Sequence, residues 1–237
     1  MSVEPAAVAL GAVGCSAAGL LVPALVRRIP EPAEPDPGKT TYAAIAAGRT
    51  LPTVAAGTCL VAGGLVGLGV GLAWPLLFLL PLVPVGVALA VVDLRTRLLP
   101  TAVVWPTFGV VAALGCLSAW LERDPDALVR AWIGAAAVFA FFYALWWIHP
   151  PGMGFGDVRL SAVLGFSLAY LGWPEVLVGV YGAFLAFAVP GLLLAVFRRD
   201  RGVLKAAYPF GPFLLAGALA GVVLGEPLWS GLVPGSG

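Results

Sequence analysis

The chain has 237 residues, 61% of them hydrophobic and only 11% charged, with a formal net charge of +1 and a mean hydropathy of +1.01. A soluble domain carries roughly 25% charged residues, so this composition excludes an ordinary water-soluble fold and calls for lipid as the solvent. The basic residues form no long stripe and do not alternate with aromatics, so nothing suggests nucleic acid and no nucleic-acid partner is expected.

In chain order, the first element is an apolar stretch over residues 6–26. It exceeds the roughly 7–15 residues of a signal-peptide core, and Glu4 but no Lys or Arg precedes it, so 1–28 reads as a retained membrane anchor. Arg27 and Arg28 close it. Residues 29–50, polar and Pro-rich with Glu31, Glu34, Asp36, Lys39 and Arg49, read as a short cytoplasmic segment.

A helix rising about 1.5 Å per residue needs about 20 apolar residues to cross a hydrocarbon core of roughly 30 Å. Residues 51–92 contain no charge and are too long for one crossing, so two spans are expected with a turn near Ala73, Trp74 and Pro75. Gly63, Gly67 and Gly71 fall on one face of the first of these and allow close helix packing. Further spans fit 101–121, 131–148, a short one ending near Leu171, 176–197 with a kink at Pro190, and 208–224. The expected fold is all-α, a polytopic membrane protein of about eight helices. Residues 51–225 form a core of about seven of them, and 226–237 a short extracytoplasmic tail.

Orientation follows from Lys and Arg, which accumulate in cytoplasmic loops. With the N-terminus outside, Arg27, Arg28, Lys39, Arg49, Arg95, Arg97, Arg159, Arg198, Arg199, Arg201 and Lys205 share one side. The other side holds only Arg123 and Arg130, so an N-out, C-out topology is expected. The basic run 198–201 reads as a topology determinant near anionic lipid headgroups.

Two spans separate Asp93 from Asp157, so both carboxylates return to the cytoplasmic edge. The segment 160–171 covers only about 18 Å, so its helix is expected to begin upstream and to carry Asp157 into the membrane boundary. Intramembrane carboxylates are costly, about 2.5–3.5 kcal/mol on insertion scales, and by default mark function. A pair sharing one proton suits peptide-bond hydrolysis: one carboxylate activates water and the other polarises the carbonyl. Gly154 and Gly156 allow tight backbone or a close approach beside Asp157.

Other chemistry-bearing residues read as structure. Cys15, Cys59 and Cys116 lie inside apolar segments without C-x-x-C spacing, so no disulfide framework or metal site is expected. His149, the single histidine, sits at a span end beside Trp146 and Trp147. Aromatic residues over 139–147 read as an interfacial belt, with a substrate-facing groove as the weaker alternative.

Three ordered motifs then carry a resemblance. Asp93 follows a hydrophobic run and precedes Pro100 by seven residues. Gly154, Phe155, Gly156 and Asp157 form G-x-G-D, followed by Arg159 and Leu160, and residues 209–212 read P-F-G-P. Together these resemble the motifs of prepilin (type IV leader) peptidases. The resemblance implies a metal-independent aspartic protease with Asp93 and Asp157 as its catalytic pair, and with Gly154, Gly156 and Pro100 supporting the motifs. It implies a multi-pass protein of the bacterial inner membrane that uses no cofactor. The substrate would be a prepilin or pseudopilin precursor, cut at the cytoplasmic surface between a basic leader and a hydrophobic helix.

Larger members carry a cysteine-rich insert with paired C-x-x-C motifs and methylate the new N-terminus from S-adenosylmethionine. Residues 29–50 hold no cysteine, and methylation is not expected here. The presenilin and signal-peptide-peptidase group shares G-x-G-D but places its first aspartate after Tyr, a poorer match. The rival of another class is a transporter relaying protons or a cation through the same two aspartates, which would call for internal repeats and midplane charges. A non-catalytic assembly factor that kept the fold is the other rival.

Overall fold

The computed structural model describes residues 4–31, 40–150, 153–198 and 209–232, with the backbone alone over 190–198. Glu34, Asp36, Lys39, Gly152, Arg199, Arg201 and Lys205 lie outside the described residues. Ten helices and no strand follow one another within them: α1 Pro5–Gly19, α2 Val22–Arg27, α3 Tyr42–Ala46, α4 Leu51–Val70, α5 Leu76–Thr96, α6 Thr101–Glu122, α7 Pro125–Ile148, α8 Phe155–Leu171, α9 Trp173–Arg198 and α10 Gly211–Leu232. By length and composition α4, α5, α6, α7 and α10 are each able to cross a membrane. The chain is an all-helical, polytopic membrane protein.

Each expected span has its helix, with corrections that have physical causes. The first span is broken between Gly19 and Val22, because Pro23 has no N–H to donate to the carbonyl four residues earlier. The charge-free run divides as expected, with the turn at 71–75 and Pro75 capping α5. Asp93 does not end α5, which runs a further turn to Thr96. The helix of the last span is displaced toward the C-terminus and ends at Leu232. Helix α9 runs unbroken past position 190.

Close backbone crossings hold the bundle together. Gly63 faces the backbone of Gly11, and Gly67 that of Ala7, with no room for a Cβ. Gly71 does not join this face. It caps α4 at φ +70°, a conformation that suits glycine, and lets Leu72 N–H donate to Glu4 Oε2 at 2.7 Å. Helices α9 and α10 cross through Gly179, Gly217 and Gly221 in the same manner as α1 and α4.

Proline also explains one cysteine. Pro84 lies inside α5 and leaves the Leu80 carbonyl without its helical donor. Cys15 Sγ lies 3.5 Å from that oxygen and supplies a weak S–H donor. In lipid, an unpaired carbonyl is costly.

Helix α8 is the axis of the bundle. All residues over 157–170 except Arg159 are buried, enclosed by α6, α7, α9 and α10. At 17 residues it spans about 25 Å, and its final carbonyls fall inside protein. Arg130 of α7 satisfies them: Nε donates to Ala169 O at 2.7 Å, and the guanidinium also donates to Tyr170 O at 2.6 Å. Replacing Arg130 by Met is expected to cost about 1.5–3 kcal/mol, the range for hydrogen bonds to charged groups. Thermal melting in detergent checks this; Arg123→Met should leave the transition unchanged, and an unchanged transition in Arg130→Met would contradict the capping role.

The aromatic residues over 139–147 do not form a belt alone. Tyr143 and Trp147 are exposed, whereas Phe142 is fully buried. Its ring stacks on Phe184 at 5.7 Å and meets Phe210 at 6.1 Å. Trp146 packs on Phe155 at 4.9 Å. This half of the cluster is protein core beside the first turn of α8.

Candidate active site

The crossings fix which helix ends meet. The α4–α5 hairpin, the C-terminus of α8 and the start of α9 lie at one end of the bundle. The end of α5, the starts of α6, α8 and α10, and the end of α7 lie at the other. Asp93 and Asp157 are both at this second end.

Asp93 occupies the last turn of α5. Its backbone carbonyl accepts the Arg97 N–H at 2.7 Å, and Arg97 adopts a left-handed conformation at φ 56° that closes the helix. A satellite cluster of α2, α3 and α5 residues, including Val26, Tyr42, Ile45 and Val92, dries the neighbouring face. The chain then passes through Leu98 and Leu99 to Pro100. Pro100 is the N-cap of α6, extended at ψ 121°, and its carbonyl accepts N–H groups of Val103 and Val104.

Asp157 sits in the first turn of α8. Gly154 caps this helix, and its carbonyl accepts the Asp157 N–H at 3.0 Å. Arg159 ties the same turn to α6 through a hydrogen bond to the Thr101 hydroxyl and lies 4.7 Å above the Phe155 ring. That fastening sets the rotation of α8 and so the direction of Asp157.

The two carboxylates are 4% and 5% exposed and lie within Coulombic range of each other. Gly211 N–H at the start of α10 donates to Asp93 Oδ2 at 3.1 Å. Among the described residues Asp157 Oδ1 has no hydrogen-bond partner, which in a dry site leaves it available for a ligand.

Leu99 is wedged between these parts. A Cβ on Gly156 would lie 2.7 Å from Leu99 Cβ, and one on Gly211 would lie 2.7 Å from Asp93 Oδ2 and 3.3 Å from Leu99 Cδ1. Two glycines and one leucine therefore set how closely α5, α8 and α10 approach. Among the described residues no three His, Cys, Asp or Glu side chains gather into a metal-holding group, and His149 is an exposed cap of α7. Two buried carboxylates with donors fixed around them can exchange protons with a bound water and a carbonyl.

A model of the type IV leader peptidase family matches residues 78–225, more than half of the chain. The chain belongs to the type IV leader peptidase family. The family match runs from Phe78 in α5 to Gly225 in α10 and therefore includes both aspartates, Leu99, Pro100 and Gly211.

Relatives of this family member point the same way. It is 33% identical over 147 residues to a prepilin leader peptidase/N-methyltransferase of Burkholderia pseudomallei, covering 60% of this chain and 44% of that protein. It is 29% identical over 155 residues to one from Pseudomonas putida, covering 65% and 52%. It is 34% identical over 119 residues to the leader peptidase HopD of Escherichia coli, covering 47% and 69%. The chain spans about half the length of the first two. No solved structure matches it.

Asp93, Asp157, Gly154, Gly156 and Pro100, the residues that stand out in the sequence, all lie at this end of the bundle. From the P-F-G-P stretch it is the Gly211 N–H that meets Asp93. Leu99 gave no signal of its own, since a leucine beside a proline in an apolar chain is unremarkable until its neighbours are known.

Proposed function

We propose that this chain is a membrane-embedded aspartic endopeptidase. It removes the basic leader from type IV prepilin-like or pseudopilin precursors at the cytoplasmic boundary of the bacterial inner membrane. The observation that carries the reading is the convergence of two buried carboxylates at one end of the bundle, one held by the Gly211 N–H and the other with an oxygen that no described residue hydrogen-bonds. Family membership supports it, as do the printed names of the relatives. The N-out, C-out orientation puts this end in the cytoplasm by the distribution of Lys and Arg, where a basic leader would be found. Methyl transfer is not part of the proposal.

The reaction follows from a pair that holds one proton. The ionised carboxylate takes a proton from water as the water oxygen adds to the scissile carbonyl carbon, and the protonated one gives its proton to the carbonyl oxygen. In the second half the first acid protonates the leaving nitrogen as the C–N bond breaks. The second takes a proton from the tetrahedral diol, and the pair regains its single proton. Which aspartate starts as the acid is a property of the coupled pair.

The geometry favours this over a transporter. The buried hydroxyls on α8 beyond Asp157 are those of Ser161, Ser167 and Tyr170. The two serines donate to carbonyls of their own helix and Tyr170, at the far end, donates to Glu122 Oε2, so among the described residues α8 carries no continuous relay from Asp157. Purified protein in liposomes, incubated with a precursor carrying a basic leader, a Gly junction and an apolar helix, is expected to cleave at the junction. A chelator should leave the rate unchanged. Loss of activity with chelator, restored by added zinc, would overturn the carboxylate mechanism.

A further inference from the structure

Between α4, α5, α8 and α10 lies a cleft of about 250 Å³, lined almost wholly by apolar side chains. Its walls lead to the carboxylates. On α5 the lining residues Leu79, Val83, Gly86 and Ala90 recur at helical spacing, and the next position of that stripe is Asp93. On α8 they are Leu164 and Leu168, and Asp157 precedes Leu164 by seven residues, two turns back on the same face. On α10 the stripe of Pro212, Leu215, Leu219 and Val222 begins one residue after Gly211.

The cleft is a wedge. Helices α4 and α10 run parallel and touch near the far end, where a Cβ on Gly69 would lie 2.5 Å from the Val222 carbonyl oxygen. Toward the carboxylate end they part, and the lining residues Thr58 on α4 and Ala216 on α10 are exposed. The polar lining atoms are already satisfied: the Thr58 hydroxyl donates to Val54 O and that of Ser167 to Val163 O. Nothing in the cleft asks for a polar ligand. Small residues on its rim, Ala62, Gly86 and Ala216, let another backbone come close.

We infer that this cleft seats the apolar helix of the substrate, entering sideways from the bilayer between α4 and α10, so that the bond preceding that helix arrives between Asp93 and Asp157. The inference rests on the proposed peptidase function. A helix is favoured over a lipid chain because the three stripes end on Asp93, Asp157 and Gly211, and a chain held there must pass polypeptide to the carboxylates. The volume accommodates a few inward side chains of a helix lying along the mouth. Specificity for the substrate then resides partly in α4, outside the segment matched by the family model.

Two experiments test this. Ala62→Trp and Ala216→Trp fill the cleft from opposite walls, and Val61→Trp places the same bulk on the exposed face of α4. With the leader–Gly–helix precursor in liposomes, the two filled variants should raise KM at least tenfold and keep kcat, and Val61→Trp should behave as wild type. Unchanged KM in both filled variants would overturn the inference. In a Cys116→Ser, Asp157→Asn background, Ala216→Cys should form a disulfide under mild oxidation with a precursor bearing a cysteine in its apolar helix. A cysteine placed in the leader should not react. No disulfide, or equal disulfide from both precursors, means that the cleft holds lipid only or nothing, and overturns the inference whatever the kinetics show. Because the cross-link needs no turnover, it separates failure of the cleft from failure of the peptidase reading, which would appear as a wild-type protein that cleaves nothing.

Discussion

Asp157→Asn is expected to reduce cleavage of a leader-bearing precursor by about a thousandfold or more, and Asp93→Asn to do the same, each protein remaining inserted and folded. The magnitude follows from removing a general acid–base group, typically 10²–10⁴-fold, in a pair where neither member works alone. Asn is isosteric, can accept the Gly211 N–H in place of Asp93, and leaves the packing around α5 and α8 intact, so the melting transition should persist. The double variant should fall to the same floor as either single one, since groups that act as a unit are not additive. Progress curves for the four proteins at equal concentration measure this. Independent, multiplicative losses would show that the two carboxylates do separate jobs.

Gly211→Ala and Gly156→Ala carry the second largest expected effect. A methyl at position 211 would press on Asp93 Oδ2, and one at 156 on Leu99 Cβ, both at 2.7 Å. Relief requires α10 or α8 to retreat by a fraction of an ångström to an ångström, and a displacement of about 1 Å at a reacting group costs up to about a hundredfold in rate. The added Cβ at Gly154 would lie 3.3 Å from Asp157 Oδ2 at an exposed position, where the chain can give way, so Gly154→Ala should lose less. Leu99→Ala removes the wedge from the other side. Combined with Gly156→Ala it should recover part of the lost kcat, because the methyl then has somewhere to go. Measured kcat for these variants orders the effects. Equal losses at 154, 156 and 211 would contradict the assignment of the close contacts to 156 and 211.

The legible part of the fold was the part that lipid dictates. Charge-free stretches longer than a bilayer must turn back, and the run 51–92 did so at the turn expected from Trp74 and Pro75. Asp93 and Asp157 stood out because a carboxylate in such a chain is expensive, and counting the spans between them put both at one edge. What stayed hidden depended on contacts far apart in the chain. Gly211 meets Asp93 across 118 positions, and Arg130 reaches the end of α8 across 39. Neither has a local signature: a glycine between Phe and Pro reads as a turn, and an arginine on an otherwise apolar helix reads as an anchor at the interface.

Periodicity was informative where its partner was another helix of the same chain and misleading where it was not. Gly63 and Gly67 pack as their spacing implied, whereas Gly71 fell one residue beyond α4 and became its cap. The aromatics over 139–147 divided between lipid and core according to which face of α7 each occupied. Composition alone could not separate those faces, because both solvents are apolar.

On the proposed function, Asp93 and Asp157 together cut a leader from a precursor at the membrane boundary. Intact-mass spectrometry of the precursor after incubation with wild type, Asp93→Asn and Asp157→Asn in liposomes tests it most directly. Wild type is expected to give two fragments whose masses place the break between the basic leader and the apolar helix, and both variants uncut precursor. Cleavage at that junction by either variant, or wild-type cleavage at scattered positions, would contradict it.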